Sequence, residues 1–448
     1  MRRLTRAAAL LPFLAMPVTS QTVKAQTAPE SAELSLSGQA GLFRVAGYEI
    51  DIDDVRLTGT GGAILSGATL TRPGRDGYVL IRQMEVPDTG LLAQVLNPDA
   101  ACDPTEASSG RITAREVRFR PDSDLGVEGG REEIRIPFLT IDTSRIGCSW
   151  RMSATADAVM ISGVDGSRID IATAEARIRL SGPQMRELDG RVDLFGIGLT
   201  GASGPGGLRV GEAGVNFAAD LSEAGLIARL GSDAPLSEMI QLASGSVLRG
   251  GLYLRALELI PELFLPQEDR ERTGLAAQEA IRGDLELSGA IDMGTVRLRG
   301  VSDLGGVVRG ELDLIGALPA PGGLTLPAAI SGSVPVPAEM LGLTVERASF
   351  RYEDLGVAKT LTDLSGHRPE ELANRLLGDR IGRVADRLPG GLPATVRAGW
   401  DAILTALRDG AGSAGVRPEQ PFSLLELAVS GMMGPDSAAS RTGAWRQD

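Results

Sequence analysis

Apolar and polar residues alternate along most of the chain. A seven-residue phrase repeats that alternation at Gly190–Gly196 (GRVDLFG), Gly283–Gly289 (GDLELSG), Gly294–Gly300 (GTVRLRG) and Gly310–Gly316 (GELDLIG). A period of two is that of a β-strand with one buried face. Leu312 and Leu314 share one face of such a strand, with Glu311 and Asp313 on the other. The flanking glycines suit turns, so each copy predicts a short strand stopped at both ends. Looser copies occur at 32–38 (AELSLSG), 176–182 (ARIRLSG) and 55–59 (VRLTG). The spacing of the copies is irregular, which favours a meander over a fixed-period solenoid.

Early strands are expected at 33–36, 42–45, 48–57, 63–71 and 78–85, separated by Gly-, Thr- and Pro-rich turns. A short helix is expected at 89–96 and a loop at 100–110, followed by strands at 112–120, 132–142, 148–156, 158–162, 167–180 and 191–199. The stretch 201–207 (GASGPGG) reads as a flexible loop. From 222 to 249 the spacing turns helical, with Leu226, Ile227 and Leu230, then Leu236, Met239, Ile240 and Ala243. The segment 252–265 (LYLRALELIPELFL) alternates like a strand to Leu259 and then takes helical spacing around Pro261. Its apolar residues Leu252, Leu254, Leu257, Leu259, Ile260, Leu263 and Phe264 read as core, as an interface, or as a lipid-facing lip. A short helix over 275–281 precedes the three clustered phrases, and 343–352 is a further strand.

Beyond residue 355 an apolar stripe (Leu372, Leu376, Leu377, Ile381, Val384, Leu388) predicts one amphipathic helix, and Val396, Trp400, Ile403, Leu404 and Leu407 predict a second. Pro389-Gly390-Gly391 joins them as a hairpin suited to pack on a sheet. The fold class expected is therefore mainly β with helical insertions (α+β), a long antiparallel meander carrying a C-terminal helical hairpin. The divisions are a signal peptide at 1–25, a β-meander at 26–220, a mixed helical insertion at 221–282, a second β region at 283–354, a helical hairpin and final strand at 355–431, and a disordered tail at 432–448.

The first 25 residues carry Arg2, Arg3 and Arg6 and then an apolar run too short to span a bilayer, which is the pattern of a secretory signal. Small residues place cleavage after Ser20 or after Ala25. Export to the periplasm makes the two cysteines, Cys102 and Cys148, candidates for a disulfide, with separate buried thiols as the alternative. No later apolar run is long enough for a transmembrane span.

The net charge is −13, and removing residues 1–25 makes it about −17. That argues against a nucleic-acid partner and against simple electrostatic docking on anionic lipid. The carboxylates Glu49, Asp51 and Asp53 share a strand face, but no calcium-loop pattern surrounds them. His367 is the only histidine, which removes multi-histidine metal sites. Ser203 lies in a Gly-rich stretch without the strand–turn–helix form of a hydrolase elbow. Arg282-Gly283-Asp284 opens an expected strand and reads as coincidence. No catalytic, cofactor or metal residue is singled out; carboxylate-dependent hydrolysis is the weakest alternative.

The signal sequence, the leucine-x-leucine-x-glycine strands and the helical inserts, over residues 170–350, resemble envelope proteins of the AsmA-like group and other periplasmic β-rich envelope proteins of Gram-negative bacteria. That resemblance implies a β-rich fold and an association with lipid transport or outer-membrane homeostasis. The expectation is a non-enzymatic exported protein with a lipid or an envelope protein as partner, or a purely structural assembly module.

Overall fold

The structure is a computed structural model. It describes residues 41–45, 48–58, 62–71, 76–87, 91, 107–120, 133–163, 166–181, 187–201, 204–220, 246–260, 280–305, 308–318, 344–356 and 408–416, with shorter pieces between 268 and 423. The chain divides into two compact units, residues 1–234 and 235–448.

The first unit is a ten-stranded antiparallel meander. Its strands are β1 (Gly41–Val45), β2 (Tyr48–Leu57), β3 (Ala63–Thr71), β4 (Tyr78–Val86), β5 (Ala107–Arg120), β6 (Glu133–Ile146), β7 (Ser149–Ser162), β8 (Arg168–Ser181), β9 (Glu187–Gly201) and β10 (Gly204–Asp220). Each pairs with the next. The second unit contains β11 (Val247–Leu259), β12 (Ile281–Asp292), β13 (Thr295–Leu304), β14 (Val308–Ala317) and β15 (Thr344–Asp354), again paired in sequence. The short strands β16 (Ala411–Val416) and β17 (Phe422–Ser423) both pair with β15. The chain is mainly β and meandering, as the alternation predicts.

Several boundaries differ from expectation. Ala107–Gly110 is strand, the break expected at Asp157 is bridged by β7, and of the expected 201–207 loop Gly201 ends β9 and 204–207 opens β10. No strand is expected over β10, whose inward residues Val210, Ala213, Val215 and Phe217 change parity at the extra residue Gly211. The expected helical insertion contains a 13-residue strand, β11, and Ile281, expected to end a helix, opens β12. Ala411, at the expected end of the second hairpin helix, starts β16. The expected strand at 33–36, the helices of 222–243 and most of the helical hairpin lie outside the described residues, as do the signal sequence and the tail. The phrase glycines also differ: Gly283, Gly289, Gly300, Gly310 and Gly316 sit inside strands, and only Gly294 (φ +88°) occupies a turn.

One feature runs across the first unit. A row of inward residues crosses nine strands in register: Val55, Leu65, Met84, Ala114, Leu139, Ala156, Ala174, Leu194 and Ala213. The next inward row is Ile52, Ala68, Ile81, Val117, Ile136, Val159, Ile171, Ile197 and Val210. In every strand two residues separate these rows, where regular alternation would place one. The extra residues are Asp53, Gly67, Arg82, Glu116, Pro137, Ala158, Ala172, Gly196 and Gly211. Those on alternate strands, Gly67, Glu116, Ala158 and Gly196, have positive φ (65°, 52°, 54° and 64°). Extra residues bend a strand and raise its twist. Because all nine strands carry one at the same level, both sides of the crease keep their apolar side chains on one face. Most of the two rows is buried, with Leu65, Ala68 and Ala156 at 1% exposure or less.

The crease has its own polar contacts. The Arg82 guanidinium donates to Glu116 at 2.6 Å and, by that bond, holds the Glu116 carboxyl below its ordinary range. Gly67 leaves room for Asp53, whose Oδ2 would lie 1.9 Å from an added Cβ.

Two substitutions in this row have opposite expected signs. Ala158→Gly relieves a left-handed alanine and raises stability by about 1 kcal/mol. Gly67→Val strains the backbone, crowds Asp53 and lowers stability by about 2 kcal/mol or more. Urea denaturation of each variant measures both.

Candidate apolar ligand face

The phrase G-x-L-x-L-x-G places both leucines and both glycines on the same face, since all four positions share one parity. The three copies in the second unit stack in register. Leu252, Leu287, Gly300, Leu312 and Phe350 form one transverse row through β11–β15. Leu254, Leu285, Ser302, Gly310 and Tyr352 form the next. On the far side Gly289, Leu298, Leu314 and Ala348 continue the face. Five strands span about 20 Å at ordinary strand spacing.

This face is open at its centre. Leu287 is 44% exposed and Leu312 is 38% exposed, while Leu285, Leu298, Leu314 and Phe350 are half-buried. Gly300 lies between the two exposed leucines and forms a notch. An added Cβ there would meet Leu287 Cδ1 at 3.5 Å and Leu312 Cβ at 3.7 Å, ordinary contact distances.

The opposite face carries most of the charge, much of it paired, together with the buried Tyr253 and with Val301 at 38% exposure. Arg282 donates to Glu258 at 3.0 Å, Arg299 to Glu311 at 3.4 Å, and Arg309 to both Asp303 and Glu353 at 3.2 Å. Arg347 also donates to Asp313. These pairs are largely exposed, so each contributes little to stability. Their effect is to mark that side as the wet one. Arg282 and Asp284 of the RGD-like triplet are both used structurally: Asp284 accepts the amide of Ala256, the bulged residue of β11 (φ +51°).

That bulge decides where the expected apolar residues fall. It shifts the parity between Leu254 and Leu257, so Leu252, Leu254 and Leu257 face the same way. Leu257 is buried and the other two are half-buried. Ile260, just beyond β11, is half-buried; Leu259 ends the strand, and nothing is described of its side chain. Leu263 and Phe264 lie outside the described residues. Sequence reading missed the contributors from β12–β15, although the repeated phrase held the signal in its shared parity.

Tyr352 adds a polar atom to the face. It is 8% exposed, its ring stacks on Phe350 with centroids 6.3 Å apart, and its hydroxyl has no hydrogen-bond partner. Burial, reinforced by the Asp354 carboxylate, pushes its pKa up to about 12.

The other candidates do not converge here. Glu49 stands opposite Arg44 on β1, Asp51 is exposed, and Asp53 belongs to the crease. No group of three or more His, Cys, Asp or Glu able to hold a metal occurs among the described residues. His367 Nδ1 lies 3.7 Å from Glu371, whose carboxylate also accepts the Arg368 amide, a local helix-entry arrangement. Ser203 is outside the described residues. Cys148 sits in the turn between β6 and β7, and no free cysteine occurs among the described residues; Cys102 lies outside them. No described helix is long and apolar enough to cross a membrane.

Tyr352 ionises more readily in the unfolded chain than in the folded one. Its contribution to stability is therefore complete below pH 10 and is lost as the pH rises toward 12. Thermal denaturation across pH 9–12 should show a steeper fall in Tm for the native sequence than for Tyr352→Phe.

No protein-family model, curated protein or solved structure matches this chain.

Proposed function

We propose that this chain is an exported, non-enzymatic protein of the bacterial envelope that holds the apolar part of a lipid against the leucine face of β11–β15. The observation that carries this reading is the pair of exposed leucines, Leu287 and Leu312, flanking the Gly300 notch on an otherwise half-buried apolar face. In the first unit the corresponding face is largely buried. Exposed apolar area in a contiguous patch marks a binding surface more often than a solvent-facing one. Each methylene of a bound chain removed from water contributes about 0.8 kcal/mol. The buried Tyr352 hydroxyl supplies a hydrogen-bonding group at the margin of the same face.

Export rests on the basic and apolar residues of the first 25 positions, and the AsmA-like resemblance supports a lipid over other apolar ligands. The helical hairpin expected from the apolar stripes at 372–388 and 396–407 is proposed to pack near this sheet, because those stripes need a partner. The second cysteine is proposed to close a Cys102–Cys148 disulfide in the oxidising periplasm.

Native mass spectrometry of the protein purified from envelopes should show bound lipid. Leu287→Glu with Leu312→Glu, or Gly300→Leu alone, should reduce lipid occupancy at least about tenfold by placing charge on the face or filling the notch. Consistent absence of lipid from the native protein overturns the reading, and a crosslinked protein partner in its place supports an assembly role instead. Alkylation without reductant should label neither cysteine, and Cys148→Ser should lower stability by about 4 kcal/mol.

A further inference from the structure

An open hollow of about 750 Å³ lies on the outer, polar face of the first unit, over β5–β9. Its lining includes Arg111, Arg151, Arg177 and Arg179 against two carboxylates, Asp142 and Asp189. A net positive hollow is unexpected on a chain of net charge −13.

Arginines on this face follow a rule. Most have an acid two residues along the same strand or directly across. Arg56 bonds Asp54, Arg135 bonds Glu133, Arg168 bonds Asp170, and Arg191 bonds Asp193. Across strands, Arg111 holds Asp142 through two bonds of 2.7 and 3.2 Å.

Three pairs of arginines stand directly opposite one another among the described residues. Arg118 and Arg135 share Glu133. Arg177 and Arg191 are each compensated, by Glu175 and Asp193. Arg151 and Arg179 are the third pair, and neither forms an ion pair with any described residue. The neighbours two along from Arg151 are Ser149 and Ser153, and those from Arg179 are Arg177 and Ser181. Ser144 stands opposite Arg151, and Asp189 stands opposite Arg179 without closing an ion pair.

Like charges directly opposed in a sheet are destabilising. Around Arg151 the chain places hydroxyls where it elsewhere places acids, and the acid across from Arg179, Asp189, does not close on it. We infer that Arg151 and Arg179 form a binding site for a phosphate-bearing ligand, held between their guanidinium groups, with the Ser144 and Ser153 hydroxyls as further donors. Guanidinium groups match phosphate through paired N–H donors, and two of them neutralise a dianion. Asp142 is occupied by Arg111, which leaves Asp189 as the carboxylate that sets a limit on anion charge at the β9 side. The phosphate is either that of a soluble ester or that of a lipid headgroup.

The test uses the full-length protein in two arms. Isothermal titration with inorganic pyrophosphate reads a soluble ligand. Flotation with vesicles of phosphatidylglycerol in phosphatidylcholine, against phosphatidylcholine alone, reads a headgroup. Binding in at least one arm is expected, weakening as salt is raised. The double variant Arg151→Gln, Arg179→Gln should lose it at least tenfold, while Arg56→Gln, a paired arginine on β2, should not. Arg151→Glu provides an independent reading: it should raise Tm by replacing repulsion with a cross-strand ion pair, and abolish binding. No binding in either arm overturns the proposal, as does binding that survives the double variant.

Discussion

The register of the nine strands β2–β10 is the constraint on which the first unit depends. A one-residue slip in a sheet sends every later side chain to the opposite face. Here each strand contains such a slip, at one common level, and the slips cancel between neighbours. No single strand could carry it alone without exposing half of its apolar residues. The crease is therefore a collective property, made locally tolerable by glycine at positions 67, 196 and 211 and by the Arg82–Glu116 and Asp53–Gly67 contacts. Alanine at 114, 154, 156, 174 and 176 lines the middle of that face, and all five are buried.

The second unit is built from the same strand grammar without the crease. β12, β13 and β14 pair without a shift over their whole length. Among the described residues of this unit, bulges are confined to β11, between Leu254 and Leu257, and to the β14–β15 pairing beside Gly316. The apolar face there remains half open, and glycines alternate with leucines across it instead of alanines. We read the contrast as a division of labour: a closed face that stabilises, and an open one that receives a ligand. The phosphate site proposed in the outer arginine hollow of the first unit would add phosphate to the proposed apolar ligand chemistry.

Much of the fold was legible in the sequence because strand parity is written directly in residue order. The bounds expected for 48–57 and 63–71 coincide with β2 and β3. The crease was also written there: Ala63, Leu65, Ala68 and Leu70 change parity at Gly67. It is easily taken for a strand break, as at Asp157, because a parity change and a turn look alike until the partner strands are known. β10 was missed since its inward residues, Val210, Ala213, Val215 and Phe217, change parity at Gly211. The apolar face was half legible. The segment 252–259 stood out for its hydropathy, whereas Leu287, Gly300 and Leu312 become neighbours only through cross-strand register. The Arg151–Arg179 pair was invisible for the same reason, being 28 residues apart in sequence and adjacent in the sheet.

Photolabelling with a diazirine-bearing fatty acid, mapped by peptide mass spectrometry, tests the central claim most directly. The account predicts labels concentrated on β12–β14, around Leu285, Leu287, Leu298 and Leu312, and displaced by unlabelled lipid. Labels spread evenly over both units, or absent from β12–β14, would contradict it.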